Sequence, residues 1–297
     1  MKKILLFSPL CKPKAVLEVT LPSYLNLKSQ GFTYDILLYN DNNIEDSKKY
    51  TDNFISQHDN VSLLPNIFNE NSAYQKHNWN ISLIDRISAI KNKAIEYALK
   101  NNYDYIFLVD ADLVLNPNTL ISLVNAQKHF IFEIFWTMFT NAHYYKPNAW
   151  DYHSWVYDSP ESIIKLKEPG VYEVGAGGAC TLVSRELLAR GLNFNRLSNM
   201  RFPGEDRHFC TRVQALNEKV YIDTHYPAFH IHNPKLVDEA KQWYETGAKP
   251  KLFYSWLTDE WKNNLRRSFE EPKTKIAQVK KGLYLARRAY INYFKKL

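Results

Sequence analysis

The stretch Tyr103-Asp-Tyr-Ile-Phe-Leu-Val-Asp-Ala-Asp-Leu-Val-Leu-Asn-Pro117 decides how this chain is read. Residues 106–109 form a short continuous apolar run, the pattern of a strand buried on both faces of a helix-covered sheet. Asp110 and Asp112 follow at once, where an extended backbone relaxes into a turn and both side chains can converge on one point. Burying two anions side by side is costly unless a cation neutralises them. A hard divalent ion that prefers oxygen ligands, and that also holds phosphates, does so. The functional reading is a Mg²⁺ or Mn²⁺ site for a diphosphate at the C-terminal edge of a parallel sheet. The plainer alternative is a polar turn closed by Asn116-Pro117, with Thr119 capping the next helix.

Upstream of this stretch, residues 3–8 read as a first strand and residues 9–13 as the loop behind it. The apolar start superficially resembles a secretion signal. Pro9 breaks its run, and Lys12 and Lys14 follow with no small-residue cleavage site, so a strand is expected. Residues 16–30 have helical apolar spacing despite Pro22, and Gly31 is the expected stop. Residues 34–39 form a second strand that ends in Asn40-Asp41-Asn42-Asn43. A carboxylate just past such a strand is placed to meet a nucleotide's base or ribose, although a solvated loop Asp has the same look. Residues 44–80 read as polar and irregular, with a short strand at 61–64. Residues 84–99 form an amphipathic helix. Its Arg86, Lys91 and Lys93 are either single charges on a solvated face or groups that reach a diphosphate.

Downstream, the spacing predicts a helix at Thr119–Asn125 and a third buried strand at 130–135. Residues 137–157 crowd aromatic and polar side chains into a long loop, Trp150 and Trp155 among them, of the kind that binds ligands. His143 and His153 there lack metal-ligand spacing. Residues 172–184 carry Gly175, Gly177 and Gly178; glycine permits close backbone approach, but the spacing matches neither a dinucleotide fingerprint nor a Walker loop. Glu205 and Asp206 form a second acidic cluster at the start of a helical run. The helix dipole alone would favour them there, and a general base facing a substrate is the functional alternative. Strands are expected at 219–222 and 228–232. Alternation then places His230 and His232 on one face, where either might complete a metal site or serve only structure.

Charge and cysteine content narrow the classes. The net charge is +7 over 297 residues. Eight basic residues and no acidic one fall after Glu271, so the body carries −1 (7 − 8), which disfavours a nucleic-acid-binding surface. Residues 274–297 have the spacing of a basic amphipathic helix, suited to an anionic membrane surface or to packing with a solvated basic face. Three widely separated cysteines argue for a reducing compartment rather than a disulfide framework. No apolar run reaches the ~18–20 residues that cross a bilayer; residues 130–139 come nearest, and Glu133 interrupts them.

In this order the pieces resemble a GT-A fold glycosyltransferase of the large family 2 group. The shared features are the N-terminal strand, an acidic loop after strand two, and a helix reading Ala89-Ile-Lys91-Asn92 with Lys91 where Arg is usual. The Asp-x-Asp strand, the glycine-rich segment, the Glu205-Asp206 pair and a late His complete them. The 150–191 stretch also resembles fungal Golgi mannan-polymerase-type mannosyltransferases. The resemblance implies an α/β fold, a Rossmann-like mixed nucleotide-binding sheet with an acceptor-side subdomain. It covers about residues 1–232, leaving out the 40–80 segment and the tail. The expected division is a donor half (1–125), an acceptor half (126–235) and a C-terminal helical, basic extension (236–297).

The resemblance also assigns roles. Pro9, Asp41, Arg86, Lys91, Asp110 and Ala111 would bind the donor, with Asp41 at the base and Asp110 at the ribose. Asp112 and Asp110, with His230 or else His232, would hold Mn²⁺ or Mg²⁺. Asp206, with Glu205 second, would deprotonate an acceptor hydroxyl, and Trp150, Trp155, Gly177 and Gly178 would face the acceptor. A UDP-sugar is the expected donor, and a glycan, glycolipid or protein the expected acceptor. Inversion is favoured, although the mannosyltransferase group retains configuration. A cytoplasmic protein at the inner face of a membrane, serving polysaccharide assembly, is the expected setting. The rivals are a sugar-nucleotide pyrophosphorylase, weakened by the lack of glycine after strand one, and an inactive membrane-associated binding protein.

Overall fold

The computed structural model describes residues 1–70, 80–137, 145–152, 160–200 and 204–246, together with 262–263 and 266–267. Trp155 and the basic segment 274–297 lie outside the described residues, as do His143, His153 and most of the aromatic loop.

The first half alternates strand and helix: β1 (Lys2–Leu10), α1 (Lys14–Leu25), β2 (Phe32–Asn40), α2 (Glu45–Ser56), β3 (Val61–Leu63), α3 (Ile81–Lys100) and β4 (Tyr105–Val109). After it come β5 (Leu113–Val114), α4 (Thr119–Asn125), β6 (Phe130–Thr137) and the short strands β7 (Lys146–Pro147) and β8 (Ala149–Trp150). Next are α5 (Pro160–Lys165), β9 (Val171–Val174), β10 (Ala176–Gly177), β11 (Cys180–Ser184), α6 (Arg185–Ala189) and α7 (Glu205–Ala215). β12 (Val220–His230) and α8 (Val237–Glu245) complete the described body.

Among the described residues ten strands form one sheet with the main order β3-β2-β1-β4-β11-β6-β12-β5. The pairs among β3, β2, β1 and β4 are parallel, β11 runs against both β4 and β6, and β12 is parallel to β6. This is the Rossmann-like mixed α/β sheet expected from the sequence. Alternation along each strand feeds two cores. Leu5, Phe7, Leu37, Ile106 and Leu108 face α3, whose Ile90, Ala94, Ile95 and Ala98 are buried. Ile4, Leu6, Ile36, Leu38 and Phe107 face α1 and α4, through Leu17, Leu21, Leu120 and Leu123. With both faces covered, the runs are continuously apolar, as in strand 106–109.

Several local expectations are corrected. Pro9 and Leu10 belong to β1 rather than to a loop; Pro9 lies past the last β1–β4 pair, Phe7 with Leu108, so its missing N–H leaves that ladder intact. α1 ends at Leu25, because Leu27 turns into the core and the Lys28 N–H donates to the Pro117 carbonyl. Gly31 instead takes φ +80° in the turn before β2. Part of the supposedly irregular 44–80 segment is α2, whose inward face is Ser47, Thr51 and Phe54, too polar to reveal a helical period. The two strands expected at 219–222 and 228–232 are one strand, β12, irregular between Asp223 and Ala228. Its polar middle is satisfied internally: Ser122 Oγ donates to Asp223 Oδ2 and the Gly170 N–H to Thr224 Oγ1. Glu133 lies fully buried beside Asp223 in the adjoining strand, and burial and that neighbour hold its carboxyl well above the usual range. Among the described residues no helix is long and apolar enough to cross a membrane.

Candidate active site at the carboxyl edge of the sheet

Parallel strands deliver their C-terminal ends to one edge, and the reversed β11 brings its N-terminal end there too. Lys12, Asp41, Asp110, Thr137, Gly178 and His230 are therefore neighbours of that edge despite their distances in sequence. The acidic turn follows β4 directly: the Leu113 N–H donates to the Asp110 carbonyl, and the Asp110 N–H to the Ala179 carbonyl ahead of β11. β5 then pairs with β12, His230 opposite Leu113, and the Ile231 N–H donates to the Asp112 carbonyl. This pairing brings His230 Nε2 to 3.5 Å from Asp112 Oδ2.

Around Asp112 two cationic or polar partners meet. Lys12 Nζ lies 2.6 Å from the same Oδ2. Burial pushes the Asp112 carboxyl up, but Lys12 and His230 more than reverse this and hold it far below the usual carboxylate range. His230 Nδ1 is 2.7 Å from Thr137 Oγ1, and its ring meets Phe135 edge-on at 4.8 Å. The Thr137 contact holds the ring with its Nε2 turned to Asp112. His232 lies past the end of β12, so strand alternation does not carry it. Its Nδ1 contacts the His230 carbonyl at 3.2 Å and its ring approaches Tyr145.

The second cluster surrounds Lys91, which the sequence left between a solvated face and a diphosphate contact. It is buried instead: its side chain is 2% exposed, under Phe194. Nζ stands 2.7 Å from Glu205 Oε1 and 3.5 Å from both Asp110 Oδ1 and Asp206 Oδ1. Burial lowers the Lys91 proton affinity, but the three carboxylates reverse this and raise it well above the usual value. Lys93, by contrast, is solvated and pairs with Glu96. Gly204, at φ +125°, turns the chain into α7, whose first residues are Glu205 and Asp206. Glu205 is 5% exposed and taken up by Lys91, whereas Asp206, at 23%, is the more exposed of the pair. Burial pushes the Asp206 carboxyl up to about 7, with Glu205 and Asp110 adding to the rise and Lys91 opposing it. Burial likewise raises Asp110, against the pull of Lys91.

Gly178 shapes this cluster. A Cβ there would lie 2.3 Å from Asp206 Cγ, so only glycine lets the carboxylate stand against the 177–179 turn. Gly178→Ala is expected to destabilise the fold by about 1–3 kcal/mol through overpacking and to push Asp206 out of place. A melting curve and a donor-turnover assay check this; unchanged values in both would show that Asp206 is not held there. Gly177 is buried, a Cβ on it would strike the Phe132 ring, and its carbonyl accepts from Cys210 Sγ. Trp150 is half-buried, with the Arg207 guanidinium 5.8 Å from its ring centre.

At the far end of the edge, Asp41 is buried and both its oxygens accept from Arg86, which stacks 4.0 Å from the Phe68 ring centre and also donates to the Glu70 carbonyl. Arg86 thus reaches the site as the partner of Asp41, not as a solvated charge. Ala111 is buried within the acidic turn. Sequence reasoning gave no role to Lys12 or Thr137. The signal for Lys12 was its position directly after strand one.

Among the described residues no group of three or more His, Cys, Asp or Glu side chains is arranged to hold a metal. Two donors do fit one ion: Asp112 Oδ2 and His230 Nε2, 3.5 Å apart, can share a cation whose ligand distances are about 2.0–2.2 Å. No protein-family model matches the chain, and a search of curated proteins finds no match. Among solved structures the chain is similar to S. aureus TarS 1–349 in complex with UDP, at 14% sequence identity and a TM-score of 0.49. The likeness covers 77% of this chain and 60% of that one.

Proposed function

We propose that this chain is a metal-dependent glycosyltransferase, moving a sugar from a nucleotide-sugar donor, a UDP-sugar by preference, to a hydroxyl acceptor. The observation that carries the reading is the shared ammonium of Lys91. It stands 3.5 Å from Asp110 in the acidic turn and 3.5 Å from Asp206, the more exposed of the second acidic pair. A donor held at the turn and an acceptor hydroxyl held at Asp206 would meet there.

In this scheme Asp112 and His230 hold Mn²⁺ or Mg²⁺, the diphosphate and water supplying its other ligands, as is usual for such ions. The ion, when bound, neutralises charge on the departing diphosphate. Arg86, Asp41 and Phe68 form a stacked platform at the end of β2, where a nucleotide base would lie. Asp206 Oδ accepts the proton of the acceptor hydroxyl as its oxygen bonds to the anomeric carbon, and the bond from that carbon to the diphosphate oxygen breaks. A single displacement of this kind inverts the sugar's configuration. Lys91 holds Glu205, Asp206 and Asp110 around one ammonium and offsets their mutual repulsion. The basic segment 274–297 would bring the protein to an anionic surface if the acceptor is lipid-borne.

The test is hydrolysis of a panel of nucleotide-sugars with Mn²⁺, by the unaltered chain and by Asp112→Ala. Slow release of one nucleoside diphosphate, abolished by chelator and lowered about a hundredfold or more in the variant, is the expected result. Formation of pyrophosphate from a nucleoside triphosphate and a sugar 1-phosphate, with no nucleoside diphosphate released from any nucleotide-sugar, would favour a pyrophosphorylase. Absence of turnover, with no thermal shift from UDP or GDP plus metal, would remove the reading.

A further inference from the structure

Asp112 and His230 suit an ion, yet a side-chain cation already stands on the carboxylate. Lys12 Nζ is 2.6 Å from Asp112 Oδ2, the oxygen that also faces His230. A divalent ion and an ammonium on one oxygen would lie within a few ångströms of each other, where two cations repel strongly in a poorly hydrated site. The backbone of Lys12 is anchored, because its N–H donates to Asn42 Oδ1 at 2.8 Å and Pro13 precedes α1. Its side chain is 28% exposed, so the four-carbon stem has solvent to move through. Lys12 also follows the C-terminal end of β1, beside the end of β4, on the edge where a diphosphate would lie.

We infer that Lys12 is an exchangeable counter-ion of Asp112. It neutralises the carboxylate before the donor binds, then passes to the donor's diphosphate and leaves Asp112 Oδ2 to the divalent ion. The inference rests on the donor-and-ion reading above and adds a thermodynamic consequence. Nucleotide removes the ion's competitor, so nucleotide and metal bind with positive coupling, and by linkage each strengthens the other equally. The ammonium also protects the site from ions without donor, since a divalent ion alone must displace a charge-assisted hydrogen bond.

The test measures Mn²⁺ affinity from the electron paramagnetic resonance signal of free Mn²⁺, with and without saturating UDP and, in parallel, GDP. The unaltered chain is compared with Lys12→Met and Lys12→Gln, each checked by a melting curve. Expected for the unaltered chain is Mn²⁺ binding about tenfold or more tighter with nucleotide than without. In either variant, Mn²⁺ binds tighter than in the unaltered chain when nucleotide is absent, so the coupling falls, while the part that comes from the diphosphate's own ligation of the ion remains. Calorimetry in chelator should show weaker UDP binding in both variants. Folded variants that bind Mn²⁺ no tighter without nucleotide, beside an unaltered chain that binds UDP and turns donor over, would overturn the exchange alone. An unaltered chain that binds neither UDP nor GDP would overturn the donor reading and the exchange together.

Discussion

Asp206→Asn lowers sugar transfer by about a hundred- to ten-thousand-fold, the range for a positioned general base, while UDP binding is unchanged. The amide keeps the shape of the side chain and its place against Gly178, but its oxygen no longer takes up a proton at neutral pH. The same assignment sets the pH profile. The Asp206 carboxyl is pushed up to about 7 by burial and by Glu205 and Asp110. Below that pH it is protonated and cannot act as a base. kcat/KM for the unaltered chain therefore rises as pH climbs through about 7 and levels off above it. Initial rates between pH 5.5 and 8.5 check this. A variant that keeps both its rate and its profile would place the base elsewhere and leave Asp206 a structural acid.

Lys91→Met is the substitution with the largest expected effect on stability, a loss of about 3–5 kcal/mol, typical of removing one partner from a buried charge cluster. Methionine nearly fills the volume, so the loss is electrostatic rather than a cavity. Glu205, Asp110 and Asp206 would be left around a space without a cation. The sign with pH follows. Without the ammonium the folded-state carboxyls take up protons at a higher pH than in the unfolded chain. The folded state then binds more protons, and its stability falls as pH rises. The deficit relative to the unaltered chain is smallest near pH 5 and grows towards pH 8. Denaturant melts at the two pH values measure it; an equal deficit at both would mean that Lys91 acts through packing alone.

The two variants separate catalysis from architecture. Asp206→Asn changes rate with little effect on stability, whereas Lys91→Met changes both, because Lys91 touches Asp110, Glu205 and Asp206 together. Glu205 illustrates the same division. It is the more buried of the acidic pair and binds Lys91 at 2.7 Å, so it positions the cluster while Asp206 faces solvent.

Much of the sheet was legible in the chain itself, because its signals are local. The apolar run 106–109 ended by two aspartates, the helical period at 84–99 and the helix Thr119–Asn125 all appear. The helix over 84–99 begins a turn earlier, at Ile81, and Thr119 lies inside its helix after Asn118 rather than capping it. The acidic pairs were legible for the same reason: Asp110 with Asp112 and Glu205 with Asp206 sit at element ends, where a short motif has a known exit direction. α2 was hidden, because its inward face mixes Ser47 and Thr51 with Phe54 and so interrupts the apolar stripe. β12 was divided, because the polar middle of the strand mimics a loop until its partners in α4 and before β9 are known.

What gives each motif its chemistry was decided only by tertiary structure. Lys12 meets Asp112 across 100 residues, and Lys91 meets Glu205 across 114. His230 reaches Asp112 because two residues of β5 pair with the end of β12. Gly178 serves Asp206 because the reversed strand β11 starts at the edge where the parallel strands end. Periodicity tells which face of an element is buried, but a charge takes its meaning from the partner that burial supplies. Lys91 and Lys93 lie two residues apart on one helix, and one is the buried hub of three carboxylates while the other is solvated. Local sequence set the strands and the acidic turns; packing alone decided which cation faces which acid.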